Sequence, residues 1–145
     1  MNKFFPFVFL FGSFCFGQSQ EEIELPLRNL FAAMKNADPV LLKSVFAENA
    51  ILQTITEKGV KTENLTDFVA TVSKMAKGDL DERITIESMN TDGNLVSVFT
   101  TYSFYYKGTF SHCGANSFQL VKQSGEWKIQ YVIDTRRKDN CKEIK

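Results

Sequence analysis

His112 is the single histidine of this sequence, and histidine is the side chain that changes charge closest to neutral pH. On a strand it could serve as a general acid or base, or make a polar contact to a ligand. It could equally be a surface histidine or a structurally hydrogen-bonded one. Cys113 follows it directly, but neighbouring strand residues point to opposite faces, which argues against a His–Cys nucleophile pair. If His112 faces an interior, Gly114, Asn116, Phe118 and Leu120 face it too, unless Gly114 marks a bulge. Tyr102, Phe104 and Tyr106 share one face of the preceding segment, with packing as their ordinary role. Asp134-Thr135-Arg136 closes the last apolar run with a carboxylate and a guanidinium two residues apart. That spacing suits an ion pair at a strand end or the reception of an anionic ligand. Tyr102, His112, Asn116, Asp134 and Arg136 are thus the candidate ligand-binding residues, with His112 and Asp134 the candidate catalytic ones. One histidine and no clustered carboxylate spacing speak against a metal site. No glycine-rich phosphate loop is visible, so no cofactor is expected.

Two further residues carry chemistry of another kind. Residues 1–17 read as a signal peptide. Lys3 is the positive start, Phe4 to Phe11 the apolar stretch, and Cys15 and Gly17 the small residues before a cut. The apolar run is too short to span about 30 Å of hydrocarbon, which needs roughly 20 residues. Export to the periplasm or the medium then permits oxidation of Cys113 and Cys141, the two cysteines after the cut. Cys141 lies in a polar tail that would otherwise fray. A Cys113–Cys141 bridge would hold that tail against the sheet; two independent thiols are the alternative.

The elements that must position these residues are legible from periodicity. Residues 18–145 are sized for one domain. A first helix follows from Ser19 and Glu22 as a capping box and from Ile23, Leu27, Leu30, Phe31 and Met34 at helical spacing. Pro26 predicts either a kink or a later start. Asp38-Pro39 predicts a cap and first position for a second helix, with Leu41, Leu42, Val45 and Phe46 on its apolar side. Ala50 to Thr56 reads as a strand, and Val60 to Thr62 as a short partner. Asn64 or Thr66 would cap a third helix running to Gly78; Asn64-Leu65-Thr66 also matches a glycosylation acceptor. Four strands follow: Arg83 to Asn90, Leu95 to Tyr106, Thr109 to Lys122 and Glu126 to Thr135, separated by glycine turns. On the last, Trp127, Ile129, Tyr131 and Ile133 are expected on one face and Gln130, Val132, Asp134 and Arg136 on the other. Helices early and a meander late indicate an α+β layer fold.

The stretch Asn36-Ala37-Asp38-Pro39 with Phe46-Ala47-Glu48-Asn49-Ala50, and the closing Phe118-Gln119-Leu120-Val121-Lys122 with Gly125-Glu126-Trp127-Lys128-Ile129, resemble the opening and last hairpin of nuclear transport factor 2-like proteins. The resemblance implies a cone: a strongly bent, mostly antiparallel sheet wrapped around three helices, with a pocket inside. The superfamily includes ketosteroid isomerase, scytalone dehydratase and polyketide cyclases as well as binding domains, so it fixes fold and not function. Its isomerase-like arrangement calls for a tyrosine on the first helix, and its dehydratase-like arrangement for two histidines. Neither set is present here.

The expectation is therefore an exported protein that binds a small, partly apolar molecule. The alternative is an isomerase, dehydratase or cyclase using His112 or Asp134 as acid or base. Lys+Arg 17 against Asp+Glu 17 gives no electrostatic reason for a nucleic-acid or anionic-membrane partner. Family resemblance and apolar residues on both sheet faces also imply a homodimer.

Overall fold

The computed structural model describes residues 20–144; the signal peptide assigned to residues 1–17, and Ser19 of the expected capping box, lie outside them. Three helices, α1 (Gln20–Asn36), α2 (Pro39–Ser44) and α3 (Leu65–Val72), accompany six strands. The strands are β1 (Phe46–Thr56), β2 (Gly59–Glu63), β3 (Leu80–Asp92), β4 (Leu95–Tyr106), β5 (Thr109–Gln123) and β6 (Glu126–Thr135). They form one curved, unclosed sheet in the order β2-β1-β6-β5-β4-β3. Every neighbouring pair is antiparallel except β1 with β6.

Helix α1 continues without a break past Pro26 and buries Ile23, Pro26, Leu27, Leu30, Ala33 and Met34. It stops at Ala37, whose left-handed φ of 54° lets the Asp38 amide reach back to the Ala33 carbonyl at 2.9 Å. Asp38 then caps α2 by accepting from the Val40 and Leu41 amides at 3.0 Å each. Two expected boundaries shift. Val45 closes α2 and Phe46 already belongs to β1, because the Ile129 amide bonds the Val45 carbonyl and captures this segment for the sheet. Helix α3, capped by Asn64, ends at Val72 rather than near Gly78, and the chain then folds into turns. The Gly78 amide donates to the Lys35 carbonyl at the end of α1 at 2.7 Å.

The sheet is bent by single extra residues. Glu87, Ser111 and Gln130 each lack a cross-strand partner while their neighbours pair in register. Such bulges bend a strand and reverse its side-chain phase. The reversal at Gln130 corrects the expected faces of β6. Trp127 and Ile129 face the helices, and so do Val132 and Asp134, while Tyr131 and Ile133 turn outward. Gly114 is not a bulge; it pairs with Tyr102 in unbroken register. Leu27, Leu42, Val72, Val96, Val98, Phe118, Leu120 and Ile129 fill the space between the helices and the concave face.

The disulfide joins Cys113 to Cys141 with Cα atoms 5.7 Å apart. Beyond β6 the chain pairs once more, Arg137 exchanging both backbone bonds with Cys113 at 2.9 and 3.0 Å. It then crosses the outer faces of β4 and β3. Ser103 holds the Lys142 carbonyl and the Ile144 amide, and the Tyr105 hydroxyl donates to Glu143.

Candidate functional site

Between α1, α3 and the concave face lies a cavity of about 110 Å³. Phe31, Met34, Phe68 and Phe118 are prominent in its walls; Gln53, Thr54 and Glu63 line it from β1 and β2, and its inner polar edge is Glu82, Asn116, Asp134 and Arg136. Larger grooves of about 880 and 400 Å³ are lined by none of the candidate residues, whereas one of about 380 Å³ includes Arg136 and one of about 160 Å³ includes Tyr102.

Each polar group comes from a different position in the bent sheet. Glu82 sits on β3 in the same phase as Ile84 and Ile86, so the alternation that turns the isoleucines inward carries a carboxyl inward as well. Asn116 on β5 pairs with Thr100 on β4 and Asp134 on β6. Its side chain is only 5% exposed. Its amide nitrogen donates to Glu82 Oε1 at 3.0 Å and to Thr100 Oγ1 at 3.3 Å. Arg136, half-exposed at the rim, donates from Nε to Asp134 Oδ2 at 2.8 Å and from Nη2 to Thr54 Oγ1 at 3.1 Å.

Tyr102 stands behind this edge. Its hydroxyl donates to the Thr135 carbonyl at 2.8 Å and lies 3.5 Å from Asp134 Oδ2. Burial, then the charges of Glu82 and Asp134, push the phenol well above its ordinary range. Its role here is to fix the end of β6. The absence of a side chain at Gly114 makes that arrangement possible. A Cβ there would collide with the Thr135 carbonyl and come within 2.7 Å of the Tyr102 ring.

Of the five residues nominated from sequence, Asn116, Asp134 and Arg136 meet in the cavity, and Tyr102 supports them. His112 is on the concave face but does not line the cavity. Its ring packs on Tyr102 and Phe104 at centroid distances of 5.7 and 5.0 Å, and Nδ1 is 3.0 Å from Ser111 Oγ. Burial, with the positive charges of Arg136 and Lys138 behind it, lowers its pKa despite Asp134. His112 and Asp134 do not hydrogen-bond to each other.

Glu82 is the residue that sequence reading missed. Burial pushes its carboxyl up to about 7, with Asp134 adding to the rise and the Asn116 bond and Arg136 opposing it. The sign for stability follows. A carboxyl that titrates near 7 in the fold and near 4.5 when unfolded holds a proton that the unfolded chain has released. Its favourable contribution is complete below about pH 4.5 and is lost as pH rises through 7. The span is worth roughly 3 kcal/mol. Glu82→Gln, which keeps the Asn116 bond without the charge, should flatten this slope and leave the variant up to about 3 kcal/mol more stable at pH 8. Urea unfolding between pH 4.5 and 8.5 measures both. A slope unchanged by the substitution would place the titrating group elsewhere.

The comparisons agree with this architecture. A family model described as "Putative lumazine-binding" matches residues 18–131. Among solved structures, a nuclear transport factor 2-like protein of unknown function from Shewanella baltica superposes with a TM-score of 0.67 at 14% identity, covering 84% of this chain and 96% of that one. A similar protein from Silicibacter pomeroyi gives 0.66 at 16%, over 80% and 93%. A protein of cystatin-like fold from Nostoc punctiforme gives 0.61 at 14%, over 81% and 90%. At these identities the likeness is one of fold. No curated protein matches the chain.

Proposed function

The chain belongs to the lumazine-binding-like family, and from that premise we propose that it is an exported protein whose inner cavity binds a small, partly apolar molecule. The observation that carries the reading is the cavity itself: aromatic and aliphatic walls with four polar side chains gathered on one edge. Its volume suits a single ring, since an apolar cavity of about 150 Å³ accepts benzene in another protein. Phe118 would pack on the ligand, Asn116 and Glu82 would orient it, and Arg136 would close the rim. The disulfide suits an oxidising compartment, periplasmic or extracellular. No helix among the described residues is long and apolar enough to cross a membrane.

Native mass spectrometry and thermal shift against a panel of monocyclic and bicyclic heteroaromatic compounds test this. We expect one bound molecule per chain and a raised Tm, with Asn116→Leu weakening binding about tenfold or more through the loss of oriented hydrogen bonds. Binding that survives both Asn116→Leu and Phe118→Ala would move the site to one of the outer grooves. The same spectra report copy number. A homodimer is part of the reading, because the convex face presents Ile51, Ile55 and Phe99 partly exposed beside outward-turned Tyr131 and Ile133. Monomer alone at micromolar concentration removes it.

One observation favours a second reading. A carboxyl titrating near neutrality beside an ion-paired Asp134 can take and return a proton, which is what an isomerase or cyclase asks of its acid–base residue. Glu82 fills that role better than His112, which does not line the cavity. A ligand recovered chemically unchanged after prolonged incubation excludes catalysis on that compound.

A further inference from the structure

The polar edge of the cavity is rich in acceptors that the protein itself leaves unused. Asn116 gives both of its bonds through nitrogen, so its Oδ1 has no partner among the described residues. Glu82 receives on Oε1 only. Asp134 receives on Oδ2 only, from Arg136 and, at longer range, from Tyr102. Three oxygens, Asn116 Oδ1, Glu82 Oε2 and Asp134 Oδ1, are thus free on three residues that line one cavity, and Asn116 is more than nine-tenths buried. All three keep some exposure to the cavity, where a donor can reach them. Arg136, the cation that lines the cavity, bonds none of them. The Arg136 guanidinium is drawn to the rim by Asp134 Oδ2 and Thr54 Oγ1.

We propose that the cavity receives a primary ammonium group carried on a small apolar or aromatic body, its three N–H bonds satisfied by Asn116, Glu82 and Asp134. The proposal rests on the cavity being the binding site and names the class of ligand it takes. The walls from α1 and α3, Leu30, Phe31, Met34 and Phe68, are apolar and fit the body. An ammonium has three donors and no acceptor, the complement of this edge. An anionic ligand would meet three carboxyl groups, Glu63, Glu82 and Asp134, and a guanidinium already engaged, which sets aside the anion-receiving role that the Asp134–Arg136 spacing had suggested.

The coupling to pH has a definite sign. The groups facing Glu82 are Asp134 from β6, Arg136 just beyond it, Tyr102 from β4 and Asn116 from β5; Glu63 from β2 also lines the cavity. Because burial keeps Glu82 largely protonated below neutrality, a cation binds better once that proton leaves, and its affinity rises as pH rises.

The test is a calorimetric titration of the full chain with benzylamine, benzyl alcohol and benzoate, three probes of one shape and different charge. Benzylamine should bind tightest, and its affinity should climb roughly tenfold from pH 5.5 to pH 8. Benzyl alcohol should bind weakly with little pH dependence, and benzoate should not bind measurably. Glu82→Gln should remove most of the pH dependence of benzylamine binding. Benzyl alcohol or benzoate binding as tightly as the amine would overturn the ammonium assignment and leave the cavity as the binding site. If neither these probes nor the heteroaromatic panel bind at all, the cavity reading falls with it.

Discussion

Cys141→Ser should lower the unfolding free energy by about 3.5 kcal/mol under oxidising conditions and change it little under reducing ones. The bridge closes a sequence separation of 28 residues, and loop-closure entropy at that length sets the magnitude. The native geometry needs no distortion to form it. The last strand is extended by one more backbone pair, Cys113 with Arg137, and the three residues Lys138, Asp139 and Asn140 turn Cys141 back over its partner. The tail has little apolar surface with which to hold itself. Its attachment is polar, through Ser103, Tyr105 and Arg83, with the Arg83 guanidinium lying 4.2 Å over the Tyr105 ring. Without the bridge those few bonds must offset the entropy of ordering about eight residues at roughly 1–2 kcal/mol each for the backbone alone, and the tail should leave the sheet. Urea melts with and without reductant, read beside intact-mass thiol counting, separate the two cases. Equal stability of parent and variant under oxidising conditions would mean that the tail is held by its hydrogen bonds alone. A second consequence reaches the cavity. Arg136 stands between the last residue of β6 and the Cys113–Arg137 pair, so releasing the tail loosens the guanidinium that closes the rim.

How much of this was open to sequence reading depends on the kind of signal each element carries. Strands β4 and β6 matched their expected limits, with turn residues at both ends of β4 and at the start of β6. Lys107-Gly108 and Ser124-Gly125 take positive φ at both positions, the geometry of a tight hairpin. The cap at Asp38 is equally local, as is the cap at Asn64. The disulfide followed from strand pairing plus an even cysteine count. What escaped is what only the assembled sheet decides. The bulges at Glu87, Ser111 and Gln130 leave no composition signal, yet each reverses a side-chain phase. The one at Gln130 brought Val132 and Asp134 to the same face as Trp127 and Ile129. The irregular spacing of Ile84, Ile86 and Met89 was the trace of the bulge at Glu87, visible only in hindsight. Glu82 carries no such signal, because the alternation of β3 is legible only from Arg83 onward; the start of the strand at Leu80 puts Glu82 in the inward phase of Ile84. The lesson for the site is specific. A charged residue two positions before an inward isoleucine is a better pointer to a cone interior than an isolated histidine.

Gly114→Ala should be the most damaging single substitution near the cavity, costing about 4 kcal/mol. The residue has no unusual backbone dihedral that would call for glycine. The requirement is space. An added methyl would strike the Thr135 carbonyl, a backbone atom that cannot rotate away, and would press on the Tyr102 ring at 2.7 Å. Overpacking of this kind costs about 1–3 kcal/mol when side chains can yield, and more when backbone must move. The shift would also separate the Tyr102 hydroxyl from the Thr135 carbonyl, leaving a buried donor unpaired for roughly another 1–3 kcal/mol. Urea unfolding reads the loss directly. Far-ultraviolet circular dichroism keeps the prediction decidable if the variant does not fold. A variant within about 1 kcal/mol of the parent would show that β6 does not press on β5 here. The effect on binding should exceed what stability alone explains. Tyr102 and Thr135 set the height at which β6 ends, and Asp134 and Arg136 flank Thr135. Lifting that carbonyl off Gly114 therefore displaces two of the four polar groups on the cavity edge. In the folded fraction of Gly114→Ala, ligand affinity should fall even at temperatures where the protein is fully native, whereas an outer-face change such as Ser117→Ala should leave both stability and affinity where they were.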